Sequence, residues 1–106
     1  MSKNIFVGGL VAIGFDESGE HMLTVSHSGR GVYSTRTWDR LARDNEVVYP
    51  EEGMVHGIGP VESKIISVAE EYEGSELKVE TPNQSHKLVY CEGTISVEPS
   101  NTQQVN

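Results

Sequence analysis

The stretch that decides the fold is Gly14–Arg43, GFDESGEHMLTVSHSGRGVYSTRTWDRLAR. It reads as short strands divided by tight turns. Asp16-Glu17-Ser18-Gly19-Glu20 is a turn in which Gly19 can take a positive φ angle. His21–His27 then alternates, with Leu23 and Val25 on one face and Thr24 and Ser26 on the other. Ser28-Gly29-Arg30-Gly31 supplies a second turn, its two glycines suited to a hairpin. Gly31–Thr35 is a short third strand carrying Val32 and Tyr33; Arg36–Asp39 turns again, and Arg40–Arg43 offers a fourth strand. Such a meander leaves two open edges and an apolar face to be covered. The stretch therefore speaks to architecture and assembly more than to chemistry.

Upstream, Ile5–Phe15 has the length of a signal-peptide core, but its glycines and the acidic turn that follows make it the first strand, with Leu10–Phe15 a central apolar run. Downstream, residues 44–63 form a long loop with Pro50, Gly53, Gly57, Gly59 and Pro60, in which Val47-Val48-Tyr49 could add a short strand. Strands resume at Lys64–Ala69, Glu76–Thr81, His86–Cys91 and Thr94–Val97, the last two joined across Glu92-Gly93. No window carries a helical apolar stripe. The expectation is one all-β domain over residues 1–97, built from two antiparallel meanders of seven or eight strands packed as a small sandwich or open barrel. Residues 98–106 read as a polar, flexible tail. A shift of 54 places matches Leu23-Thr24-Val25 to Leu77-Lys78-Val79, which suggests shared architecture between the halves.

The chain has 106 residues and a formal charge of −8, from 8 basic against 16 acidic side chains. Its cations are scattered, so neither nucleic acid nor an anionic membrane surface is an expected partner, and basic partners would be attracted weakly. The single cysteine, Cys91, excludes an intrachain disulfide and points to a reducing, cytoplasmic setting. At the end of an alternating strand it reads as a small buried hydrophobe.

The order F-D-E-S-G-E-H-M-L-T-V-S, then S-G-R-G-V-Y, then T-R-T-W-D-R-L-A-R (Phe15–Arg43) resembles one blade of a WD-type β-propeller. A propeller needs about four or more blades of some forty residues. The resemblance thus implies a local blade-like sheet and no activity. As a whole, the chain looks like many small bacterial proteins.

Catalytic grammar is not recognised: there is no G-x-S-x-G elbow, phosphate loop, metal signature or cofactor motif. His21 and His27 share a face but stand about 20 Å apart at strand rise, too far to hold one ion. His27-Ser28-Gly29-Arg30-Gly31 is either an anion-binding turn or a hairpin turn with a solvated arginine. On this reading His27 itself is partly buried beside Leu23 and Val25. His56 sits with Glu51 and Glu52 in the long loop, as an acid–base group, a pH switch or part of a mobile acidic segment. Trp38 either plugs the core or anchors a partner. The expectation is a non-enzymatic interaction or assembly module acting as a homo-oligomer, a homodimer or a complex with another protein. The alternative is a small-molecule or anion binder using the His27–Arg30 turn and the Met54–Pro60 loop.

Overall fold

The computed structural model describes residues 3–47, the main chain of 65–70, and residues 76–100. Among these there are nine strands and no helix: β1 (Lys3–Phe6), β2 (Leu10–Asp16), β3 (His21–Ser26), β4 (Gly29–Ser34), β5 (Arg40–Asp44), β6 (Ile65–Glu70), β7 (Leu77–Glu80), β8 (His86–Cys91) and β9 (Thr94–Pro99). They form two antiparallel sheets, of order β5-β4-β3-β2-β6 and β1-β9-β8-β7, packed together and not closed as a barrel. The all-β, two-meander architecture read from the sequence is the one observed.

The N-terminal segment differs from expectation. Gly8 and Gly9 break it, Gly9 at φ +72°, so that β1 and β2 belong to different sheets. β1 pairs with β9 and β6 pairs with β2. Each half of the chain therefore lends an edge strand to the other half's sheet. Hairpin-to-hairpin reading misses this exchange, because pairing between distant segments leaves no local signature. At the other end, β9 continues through Glu98 and Pro99, and the Ser100 amide donates to the Ser85 carbonyl at 3.0 Å. Residues 101–106, most of the 44–63 loop and the Val48-Tyr49 part of the possible extra strand lie outside the described residues.

Burial explains why the sheets pair as they do. Ile13, Phe15, Met22 and Tyr33 from one sheet meet Ile5, Leu88, Tyr90, Ile95 and Val97 from the other in a single core. Burying each large aliphatic or aromatic side chain is worth about 1.5–3 kcal/mol. Leu23 and Val25, the expected core face of β3, point the opposite way and join Val11, Ala12 and Val32 in a second buried cluster. The central strands β2, β3 and β4 are thus buried on both faces. Leu77 and Val79, by contrast, pack against the core between the sheets. The matched triplets of the two halves therefore face different environments.

Turn chemistry follows the sequence more closely. Gly19 sits at φ +75°, and Glu92-Gly93 takes positive φ at both residues, as a two-residue hairpin requires. The β3–β4 connection is shorter than expected: only His27 and Ser28 turn, and Arg30 and Gly31 lie within β4.

Candidate functional site

β5 positions the site. Its register with β4 runs Asp44 opposite Arg30, Arg43 opposite Gly31, Ala42 opposite Val32, and then Arg40 opposite Tyr33, leaving Leu41 as an extra residue. Side chains alternate along a strand, so residues 40 and 43 would otherwise face opposite ways. The bulge turns both arginines to the face of Gly31 and Tyr33, between the sheets.

On that face the sheet changes character from β2 to β5. The row Ile13, Thr24, Gly31, Arg43 runs from aliphatic through small to cationic. Small residues leave space, and a groove of about 170 Å³ opens there. Thr24, Ser26, Gly29, Gly31 and Tyr33 line it from the sheet, while Phe6, Val7 and Gly8 line it from the end of β1. Arg40 and Arg43 line its β5 side, and among the described residues no aspartate or glutamate contributes to the lining. Both arginines are exposed, and neither has a carboxylate partner among the described residues.

The groove hydroxyls are held in place by main chain. Ser26 Oγ donates to the Gly29 carbonyl at 3.0 Å and accepts from the Ser28 amide at 3.2 Å. Thr24 Oγ1 donates to the Gly31 carbonyl at 3.4 Å. A Cβ on Gly31 would stand 3.3 Å from both Thr24 Oγ1 and the Tyr33 ring, so glycine lets the ring lie down over the strand.

Arg30 has a different fate from either reading of the turn. It is 7 % exposed and is among the residues that line the groove, but strand alternation puts its side chain on Val25's face of the sheet, opposite to Gly31 and Tyr33. There Nη2 donates to Asp44 Oδ2 at 2.6 Å and Nε to Asp44 Oδ1 at 3.2 Å, with Glu46 Oε1 at 3.6 Å. The hydrogen bond to Asp44 holds the arginine above its ordinary value and the Asp44 carboxyl below its own. The fork is thus already filled by a carboxylate of the same chain, and Arg30 is neither solvated nor free to bind an anion. Gly29 permits this approach: at φ +136°, a Cβ there would run into the Asp44 carbonyl and come within 2.9 Å of Asn45 Cα.

His27 is exposed at the turn, not partly buried, because β3 ends one residue earlier. Its amide donates to the Gly9 carbonyl at 3.0 Å and its ring lies against Gly9. His56 and the Met54–Pro60 loop lie outside the described residues. Of the two roles open for Trp38, the structure realises the core one: it is 6 % exposed, and its ring meets His86 edge-on at 5.5 Å. Cys91 is exposed, since Leu88 and Tyr90 occupy the inward positions of β8.

Reading the sequence passes over the groove arginines, because nothing in R-L-A-R announces a bulge. It also passes over Asp16–His21. Asp16 is 3 % exposed and accepts from Ser18 Oγ on both oxygens at 3.1 Å, from the His21 amide at 3.3 Å and from His21 Nδ1 at 2.9 Å. That set of donors pins a turn; it does not line the groove. Among the described residues no group of three or more His, Cys, Asp or Glu could hold a metal ion, and no helix is long and apolar enough to cross a membrane. Comparison with protein-family models, curated proteins and solved structures found no match for the chain.

Proposed function

We propose that the chain is a non-enzymatic protein-interaction module whose recognition surface is the groove between β1 and β5. One observation carries this: Phe6, 79 % exposed, shares the groove lining with two uncommitted arginines in a chain of net charge −8. An exposed aromatic ring next to guanidinium groups has the composition of an interface anchor. The small, glycine-floored groove beside it admits side chains. The test is an amide-resonance titration of the isotope-labelled chain with acidic, basic and neutral short peptides. Shifts gathered at Phe6–Gly8, Thr24–Tyr33 and Arg40–Arg43 are the expected result. Shifts spread elsewhere, or absent with every probe, would remove the groove as the recognition surface.

Self-association is a second reading, favoured by Leu41, which is 46 % exposed on the edge strand β5. An edge strand offers unpaired main-chain groups to a second copy. Sedimentation equilibrium is then expected to show a dimer that Leu41→Asp weakens. A monomer throughout the micromolar range would overturn this reading and leave the first intact.

A further inference from the structure

Resting on that reading of the groove, we infer that its occupant is an acidic, extended segment of a partner protein, laid along β5 with carboxylates two residues apart on Arg40 and Arg43. The spacing is the first reason. Because of the bulge, the two arginines stand opposite Tyr33 and Gly31, which are two residues apart on one face. Two residues of strand span about 7 Å. An extended peptide repeats its same-side residues at that interval, so carboxylates at i and i+2 match the pair of guanidiniums.

The second reason is that this local charge is uncommitted. Among the described residues, the acidic side chains next to it in β5 and its flank are engaged elsewhere: Asp39 with Lys3 Nζ at 3.2 Å, and Asp44 with Arg30. Lys3 holds the Asp39 carboxyl below its ordinary value. Arg40 and Arg43 are left facing a cavity whose described lining residues include no carboxylate. The chain's overall negative charge opposes an acidic partner at long range, but salt screens that field beyond about 8 Å, and contact charges decide the bound state.

The third reason is the strand itself. β5 has β4 on one side and no neighbour on the other among the described strands. An added strand would gain main-chain hydrogen bonds there, with side chains read by the groove. The volume of about 170 Å³ suits side chains of such a segment. It is well below the roughly 300–1,000 Å³ of drug-sized ligand sites.

The experiment uses the full chain and fluorescence anisotropy. The probes are a fluorescein-labelled hexapeptide alternating glutamate and valine, its lysine–valine counterpart, and inorganic phosphate as competitor. The glutamate peptide is expected to bind, to lose affinity about fivefold with either Arg40→Gln or Arg43→Gln, and to weaken with salt. Arg40→Glu/Arg43→Glu is expected to abolish it and to gain the lysine peptide. Both sites are exposed, and an unchanged melting curve confirms the fold of each variant. Lysine and glutamate peptides binding the native chain equally well at the groove would overturn the charge inference while sparing the groove as recognition surface. Phosphate that shifts the Arg40–Arg43 amide resonances of the native chain but not of Arg40→Gln/Arg43→Gln, with no peptide bound, would overturn it in favour of a small-anion site. Repeating the amide-resonance titration with these probes, shifts absent from Phe6–Gly8 and Arg40–Arg43 with every one of them would remove both.

Discussion

Trp38→Ala is expected to destabilise the fold by about 3–5 kcal/mol, whereas Trp38→Phe should stay within about 1 kcal/mol of the native chain. Trp38 is set by a compact turn: its amide donates to the Ser34 carbonyl at 2.7 Å, and Ser34 Oγ accepts from the amides of Arg36 and Thr37 at 3.1 and 3.3 Å. The turn holds the residue at φ +63°, a conformation that tryptophan seldom takes. The ring is thereby driven into the shared core. Alanine leaves a cavity the size of an indole between the sheets. Phenylalanine gives up some area, but it also removes Nε1–H, which is buried with no hydrogen-bond partner among the described residues. The two effects oppose one another. Urea melts followed by far-ultraviolet circular dichroism would measure both variants. If Trp38→Ala left stability unchanged, Trp38 would not be a core residue. If Trp38→Phe proved as damaging as alanine, the indole nitrogen would have a role that the core packing does not explain.

The second large effect lies at Arg30 and Asp44. Asp44→Ala is expected to cost about 2–3 kcal/mol, because it strands a guanidinium whose side chain is only 6 % exposed. The figure is smaller than for a fully enclosed pair, since Asp44 keeps some contact with solvent and Glu46 stands near. Arg30→Met/Asp44→Leu removes both charges and should recover most of the loss. The pair also gives stability a pH dependence. The Asp44 carboxyl is held below its ordinary 3.8 by its hydrogen bond with Arg30, so its contribution is fully present above that value. It disappears as pH falls through the lower, folded-state value. The double variant is therefore expected to lose less stability than the native chain between about pH 4 and pH 2. Urea midpoints measured across that range would show it; parallel curves for the two proteins would mean that the pair contributes nothing. Since Gly29, Arg30 and Asp44 together tie β5 to β4, loss of the pair should also loosen the strand that carries Arg40 and Arg43.

Much of the architecture was legible in the order of residues. Gly19 and Glu92-Gly93 mark turns by their backbone preferences alone, and the alternation in His86–Cys91 and Thr94–Val97 marks strands. The pairing of those two strands follows from a two-residue link that admits little else. Two other features misled. Gly29 and Gly31 look like turn glycines, yet one makes room for the Asp44 carbonyl and the other for the Tyr33 ring. Leu23 and Val25 look like the core face, yet the core between the sheets is built on the opposite face through Met22. A strand buried on both sides gives alternation no power to say which side is inside.

The candidate site was scarcely legible. His27 and Arg30 belong to a dense polar group in the sequence, and the structure sends one to an exposed turn and the other into an ion pair. The groove depends instead on Phe6, Arg40 and Arg43, three residues from two strands that share no local motif.

The sequence by itself determined that the chain is a set of short antiparallel strands, because turn residues and period-two alternation act over a few neighbours. Only the tertiary structure decided which strands pair, that β1 and β6 cross to the opposite sheets, and that one bulged residue, Leu41, turns two arginines toward the same groove. Those choices are made by which distant surfaces bury best and by a single register slip. Both act between segments far apart in the chain, where local preference has no reach.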